Sequence, residues 1–347
     1  MTRELKQPSM SRPLVSIVIV NRNGKQYLDK CINSILSQTY KDYEIILVDN
    51  ASTDGSAEYI KTKYPNVHVI ENKVNLMFCK ANNLGAKIAK GKYLFFLNND
   101  AYLKPDALEK LVLSCENLNL IAATPKIVRW DGTEENAGLS CDIFCNPLLI
   151  PPNKCDDKYF YIEGCAFFIR RDIFLKMLFD EDFLMYKEDV DLCWRLRLCG
   201  FKLGRVPDAV VYHKGGGTSR MGIEDGGLGY LINPLTRYLS ERNTLQTILK
   251  NYGLLNLIWI IQLYFILIII ESLFLLLIMR EKIVPYLYIS AILWNLRNLN
   301  KILKKRVVIQ KIRKVRDKEI MKRMQKKFGK LKVLKYHRFN IKLLKVT

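Results

Sequence analysis

The apolar run at residues 93–97 stops abruptly on Asn98, Asn99 and Asp100 in the segment YLFFLNND. A carboxylate just past the carboxyl end of a buried strand sits where open α/β sheets bind ligands. Hard divalent cations are held by one or two carboxylates together with substrate phosphates, so Asp100 suits a nucleotide diphosphate with its Mg2+ or Mn2+. The plainer reading is a turn or helix cap, for which Asn and Asp are common.

A second cluster lies in MYKEDVDLCWRLRLCG, where Glu188, Asp189 and Asp191 open a segment whose Val190, Trp194, Leu196 and Leu198 can cover a core. Acids in a first helical turn are favoured by the helix dipole, which would make them simple capping residues. Their density argues further: crowded like charge raises proton affinity and suits one carboxylate to accept a proton from an attacking hydroxyl. His213, in VVYHKGGGTS, follows a short apolar strand and precedes a glycine run. It can complete a metal site with Asp100, while the glycines let a loop close over phosphates.

The elements that must carry these groups alternate. Residues 15–20 read as a buried strand, 26–37 as a helix, and 45–48 as a strand ending on Asp49 and Asn50. A helix at 55–63, a strand at 67–70, a helix at 80–90 and the 93–97 strand follow. Pro105 starts another helix reaching Leu118, before a strand near 121–123. Strands separated by single helices imply parallel pairing with right-handed crossovers, so the loops after Val20, Val48 and Leu97 line one edge. Asn21, Asp49 and Asp100 then share a cleft.

Charge divides the chain. Of a formal +21, residues 297–347 supply 20 Lys and Arg against Asp317 and Glu319, leaving +3 for everything before them. The nine cysteines form no CxxC pair, and the first thirty residues lack the apolar core of a signal peptide, which together suggest a reducing cytoplasm. Cys141, Cys145, Cys155 and Cys165 invite a zinc reading, but no histidine lies among them and their spacing fits no common site.

Residues 254–279 are long enough to cross a bilayer but carry Asn256, Gln262 and Glu271. Gln262 and Glu271 are nine residues apart, which at about 100° per residue puts them on opposite helix faces. Residues 283–296 are a second apolar stretch, shortened and interrupted by Pro285. One crossing would place the basic tail across the membrane from the preceding domain, against the positive-inside rule. A hairpin or in-plane pair with both flanks cytoplasmic is therefore expected, a buried helical pair or oligomer contact being the alternative. The tail alternates cations with Ile, Leu, Val and Met, a pattern suited to anionic lipid headgroups. Nucleic acid is not expected, since no RNA- or DNA-binding module accompanies the charge.

The ordered series VSIVIVNRNG, VDNASTDGS, NLMFCKANNLGAKIAKGKYLFFLNND, MYKEDVDLCWRL and VYHKGGGTS, spanning residues 14–250, resembles family 2 glycosyltransferases, especially the rhamnosyltransferase-like branch. The resemblance implies an α/β GT-A fold with a mostly parallel sheet flanked by helices, here followed by a membrane-associated helical region. It also implies a nucleotide-sugar donor, UDP- or dTDP-linked, a divalent metal and inversion at the anomeric carbon. The expected layout is an extension at 1–13, a catalytic domain at 14–250, an apolar helical hairpin at 251–296 and a basic tail at 297–347.

Carried over by residue, the resemblance implies that Asp49 contacts the nucleoside and that Asn21 to Asn23 lie beside the base. Asn75 and Asn99 complete the donor side. Asp100 matches the last residue of the metal-binding DxD motif, whose first acid is replaced by Asn98, and His213 matches a metal-binding histidine. Asp189 matches the catalytic base, with Glu188 and Asp191 orienting the acceptor or Asp189 itself. Gly164 and Cys165 can line the acceptor side or simply begin a buried strand. Met77 departs from the branch pattern, which has glycine there. The expected acceptor is a glycan or lipid-linked glycan at the cytoplasmic face of the cell membrane. A polyprenyl-phosphate sugar synthase and a non-catalytic scaffold are the alternatives.

Overall fold

The computed structural model describes residues 14–134, 139–149, 159–215, 229–231, 233–278, 280, 282–326 and 338–340. The expected extension at 1–13, Cys155, the glycines at 216 and 217, and most of the tail beyond 326 lie outside them.

β1 (Val15–Asn21) is buried along almost its whole length, as a central strand with both faces covered must be. The chain continues through α1 (Lys25–Leu36), β2 (Tyr43–Asp49), α2 (Ser56–Lys63), β3 (Val67–Glu71), α3 (Met77–Ile88) and β4 (Tyr93–Asn98). It then forms β5 (Ala101–Leu103), α4 (Ala107–Leu118), β6 (Ala122–Arg129), β7 (Leu139–Cys141) and β8 (Pro147–Leu149). β9 (Ala166–Arg170), α5 (Arg171–Met177), α6 (Glu188–Leu198) and β10 (Leu203–His213) complete the α/β part. After β11 (Gly229–Leu231) come α7 (Pro234–Asn251), α8 (Leu254–Leu277), α9 (Ile283–Arg297), α10 (Leu299–Ile312), α11 (Asp317–Met321) and β12 (Arg338–Asn340).

The main sheet has the order β3-β2-β1-β4-β9-β6-β10-β5. Its first four strands are parallel, as their helical crossovers require. The register aligns Asn21 with Asp49 and Val20 with Asn98, so the polar residues ending β1, β2 and β4 reach one edge together. β9 lies antiparallel to β4 and β6, which makes the far half mixed. β5, absent from the sequence reading, pairs antiparallel with β10 and sets His213 opposite Ala101.

Alternation along the strands builds two cores. Ile17, Ile19 and Phe95 face α1 and α4; Val18, Leu94 and Phe96 face the other layer. The second core runs without a break from the sheet through α3, α5, α6 and α7 into α8, α9 and α10. Helix α3 packs so close that a Cβ at Gly85 would stand 2.5 Å from Val18 Cγ1, so this glycine permits the contact. Pro285, expected to interrupt the second apolar stretch, falls in the first turn of α9, where a missing N–H breaks no helical hydrogen bond.

Candidate active site

The residues expected on the donor side form one hydrogen-bonded net at the sheet edge. Asn21 Nδ2 donates to Asp49 Oδ1 at 3.2 Å and to Ser56 Oγ at 2.8 Å, while Asn99 Nδ2 donates to Asn21 Oδ1 at 2.7 Å. Asp49 Oδ2 accepts from the Ser52 N–H at 2.9 Å, and Asn23 Oδ1 accepts from the Thr53 N–H at 2.7 Å. Asn75 joins through Asn50, whose Nδ2 donates to Asn75 Oδ1 at 2.9 Å. All five predicted donor residues thus lie in two adjoining loop clusters. Ser52, Thr53, Ser56 and Asn50, which the sequence reading did not select, hold them in place. A Cβ at Gly24 would come within 2.1 Å of Asn99 Nδ2 and 2.6 Å of Asn21 Oδ1, so a side chain there would displace the Asn99–Asn21 hydrogen bond.

The three candidate cation ligands converge on one imidazole nitrogen. His213 Nε2 is 3.3 Å from Asp100 Oδ1 and 3.3 Å from Asn98 Nδ2, with His213 only 9% exposed. A carboxylate, an imidazole and a short amide form a small N/O donor set that fits a hard or borderline divalent ion. Among the described residues no three His, Cys, Asp or Glu side chains are grouped to hold a metal. The zinc reading of the cysteines is not tested, because Cys155 lies outside the described residues. Cys141 and Cys145 are buried core thiols.

The three acids at the start of α6 have different environments. Asp189 keeps part of its surface accessible, and its oxygens accept from the Val190 N–H at 2.7 Å and the Gly164 N–H at 3.1 Å. Burial raises its carboxyl above the ordinary aspartate value, against these hydrogen bonds. Glu188 is 6% exposed, its Oε2 has no hydrogen-bond partner among the described residues, and burial followed by the Asp189 charge pushes its pKa well up. Asp191 is fully buried, with its carboxylate bonded to Arg195 Nε at 2.8 Å and Asn251 Nδ2 at 3.1 Å and 3.2 Å from Lys250 Nζ. It anchors α6 to α7, and no part of it reaches the surface.

Residues 16–178 match the profile of glycosyl transferase family 2. That stretch, just under half of the chain, is similar in sequence to family 2 glycosyltransferases. An uncharacterized glycosyltransferase of Haemophilus influenzae is 31% identical over 215 residues, covering 58% of this chain and 65% of that protein. A poly(ribitol-phosphate) beta-glucosyltransferase of Bacillus spizizenii is 43% identical over 100 residues, covering 27% of this chain and 16% of its own length. The chain thus matches less than two thirds of either relative. A crystal structure of GalNAc-T7 with UDP, GalNAc and Mn2+ superposes with a TM-score of 0.54 at 21% identity, covering 71% of this chain and 51% of that one. The shared architecture is the GT-A fold.

Two of the expected site residues lie beyond the matched stretch, Asp189 on α6 and His213 on β10. The loop delivering Asp189 is held by residues the sequence reading did not select. Leu184, Tyr186 and Lys187 all adopt positive φ, at 63°, 69° and 68°. Such backbone persists in non-glycine residues only where its surroundings fix it. Asn243 of α7, fully buried, donates through Nδ2 to the carbonyls of Phe183, Met185 and Tyr186 at 3.0, 3.0 and 2.8 Å. Arg242 donates to the carbonyls of Asp182 and Phe183 at 2.5 and 2.9 Å. On the other side, buried Lys187 donates to the Cys145 carbonyl at 2.6 Å.

Proposed function

We propose that this protein transfers a sugar from a UDP- or dTDP-linked donor to a glycan or lipid-linked glycan at a membrane surface, with inversion at the anomeric carbon. The reading rests above all on the convergence of Asp100, Asn98 and His213 beside the Asn21–Asp49–Asn99 net. A site for diphosphate charge adjoins a pocket for the nucleoside. Polysaccharide or cell-envelope synthesis follows from the glucosyltransferase of ribitol-phosphate polymers among its relatives.

Of the three clustered acids, Asp189 alone combines accessible surface with a raised proton affinity. It takes the acceptor hydroxyl proton as that oxygen bonds to the anomeric carbon and the bond to the diphosphate oxygen breaks. A single displacement of this kind inverts the carbon and needs no covalent enzyme intermediate. Glu188, whose proton affinity is raised first by burial and then by the Asp189 charge, orients the acceptor or Asp189 itself. Asp191 is a positioning residue. Asp100, Asn98 and His213 would hold Mg2+ or Mn2+, which when bound offsets the charge of the departing nucleotide.

The test is turnover across a panel of UDP- and dTDP-sugars, dTDP-rhamnose included, with Mn2+ or Mg2+ and detergent-solubilised protein. Turnover of one donor that Asp189→Asn and Asp100→Ala each abolish supports the reading and names the sugar. Inactivity of all three proteins with no nucleotide binding would replace it with a scaffold role.

A further inference from the structure

Helix α8 has the length and composition of a membrane span, 24 residues containing an 18-residue window with a mean hydropathy of 2.6. Its inner stripe of Ile260, Tyr264, Leu267, Ile268, Glu271 and Leu275 is nevertheless buried against the protein. Its outer stripe is apolar and open: Leu255 is 83% exposed and Ile258, Ile266, Ile269 and Leu273 are each 50–56% exposed. The polar residues divide as their spacing requires, with Gln262 outside and Glu271 inside. Among the described residues nothing covers the outer stripe.

The inner stripe is fastened along its length to polar parts of the catalytic unit. Asn256 Nδ2 donates to Asp317 Oδ2 at 2.8 Å, Tyr264 to Glu241 Oε2 at 2.7 Å, and Arg237 to Glu271 Oε1 at 2.8 Å. Arg237 and Glu241 belong to α7, the helix whose Asn243 holds the catalytic loop. Crossing a bilayer would carry α7, with these charges, into hydrocarbon. Both ends of the apolar region also return to one place. The Gly253 N–H donates to Asp317 Oδ2 at 2.8 Å, and Arg306 of α10 donates to the Tyr252 carbonyl at 2.6 Å.

From this geometry we infer that α8 lies in the plane of an anionic lipid bilayer, its outer stripe immersed and its inner stripe kept on the protein, and does not cross it. The inference names how the membrane partner of the proposed function is engaged and rests on that reading. Charge selects the occupant. Arg280 and Lys282 after α8, and Lys304 and Lys311 on α10, are exposed, and α10 also exposes Val307 and Val308. Cations just past the end of α8 attract anionic headgroups and disfavour pairing with a second copy of the same face.

The test uses the full-length protein with vesicles of phosphatidylglycerol and phosphatidylcholine, followed by sedimentation. Binding should rise with phosphatidylglycerol content, and the paired variant Ile258→Glu, Ile269→Glu should weaken it at least tenfold with an unchanged melting temperature. Depth comes from Ile266→Trp, read by brominated lipids in a Trp259→Phe, Trp294→Phe background. Strongest quenching by bromines near the glycerol end agrees with an in-plane helix; strongest quenching by bromines near the chain ends would overturn it. So would unaltered vesicle binding by the glutamate variant, or loss of a dimer in that variant without any lipid binding. Donor turnover and nucleotide binding in detergent are measured alongside: the absence of both in protein that binds vesicles at shallow depth sinks the transferase reading and leaves the placement of α8 standing.

Discussion

The main-chain N–H of Gly164 donates to Asp189 Oδ2 at 3.1 Å, and the neighbouring Cys165 carbonyl accepts from the Asn98 N–H at 2.9 Å. Two consecutive residues ahead of β9 thus connect the proposed base to the proposed cation site. A Cβ at Gly164 would stand 3.3 Å from Phe78 Cζ and 3.4 Å from Glu188 Oε1, so Phe78 or the turn must give by a few tenths of an ångström. Gly164→Ala is expected to lower kcat roughly tenfold, about 1.4 kcal/mol of transition-state stabilisation, with little change in donor affinity. Steady-state kinetics beside UDP-binding calorimetry check this; an equal loss in both would place the glycine on the donor side.

Asp189→Asn is expected to reduce kcat by about 10²–10⁴, the range for losing a positioned general base. Burial raises the native carboxyl above its ordinary value of 3.8, so the base is protonated at a higher pH than a solvated aspartate. As pH falls through that raised value, kcat/KM declines. An acid limb centred at or below 3.8 would contradict the assigned environment.

Asn243→Ala removes three hydrogen bonds to the carbonyls of Phe183, Met185 and Tyr186. The left-handed residues before Glu188 then lose their clamp. We expect kcat to drop about tenfold or more and stability to fall by about 2 kcal/mol, as for buried carbonyls left unpaired. Nucleotide affinity should stay within about twofold, because Asn243 donates to none of the donor-side residues. A parallel loss of UDP binding would mean that the helix supports the whole fold rather than the catalytic loop.

The parts legible in sequence are those with local signatures. Apolar runs at 15–20 and 93–97 punctuated by Asn and Asp report strands and their ends, and parallel register then brings Asn21, Asp49 and Asn98 together. Asn243 and Arg242 carry no such mark: they are polar side chains in a helix, and their partners lie 57–60 residues away in sequence. The left-handed loop was hidden because Leu184, Tyr186 and Lys187 are not the residues that ordinarily take positive φ. Like-charge crowding of three acids overstated the case, since Arg195, Lys250 and Asn251 take up Asp191.

Met77, where the resembled branch has glycine, adopts φ 61°. Left-handed backbone costs a side chain about 1–2 kcal/mol, while glycine costs about 0.5–1 kcal/mol in extra unfolded-state freedom. Met77→Gly should therefore stabilise the fold by about 0.5–1 kcal/mol, a shift of a few degrees or less in the melting temperature. Donor preference measured in the same variant tells whether the methionine also shapes the sugar pocket. A lower melting temperature would show that its packing outweighs the backbone strain.

Asp180 links the catalytic unit to α10. It is 2.5 Å from Lys250 Nζ and pairs with Lys305, whose Nζ also lies 2.6 Å from Asp182 Oδ2. Burial alone would raise the Asp180 carboxyl, but Lys250 and Lys305 outweigh it and hold it well below the ordinary value of 3.8. A depressed folded pKa gives stability that is full above the unfolded value and is lost as pH falls through the folded one. Asp180→Asn leaves Lys250, 1% exposed, with less compensating charge, and should cost about 3 kcal/mol near neutral pH. Urea unfolding from pH 7 to pH 3 should show the gap between parent and variant narrowing toward the acid end. A gap that holds constant with pH would mean the carboxylate matters for its shape and hydrogen bonds, with its charge contributing nothing.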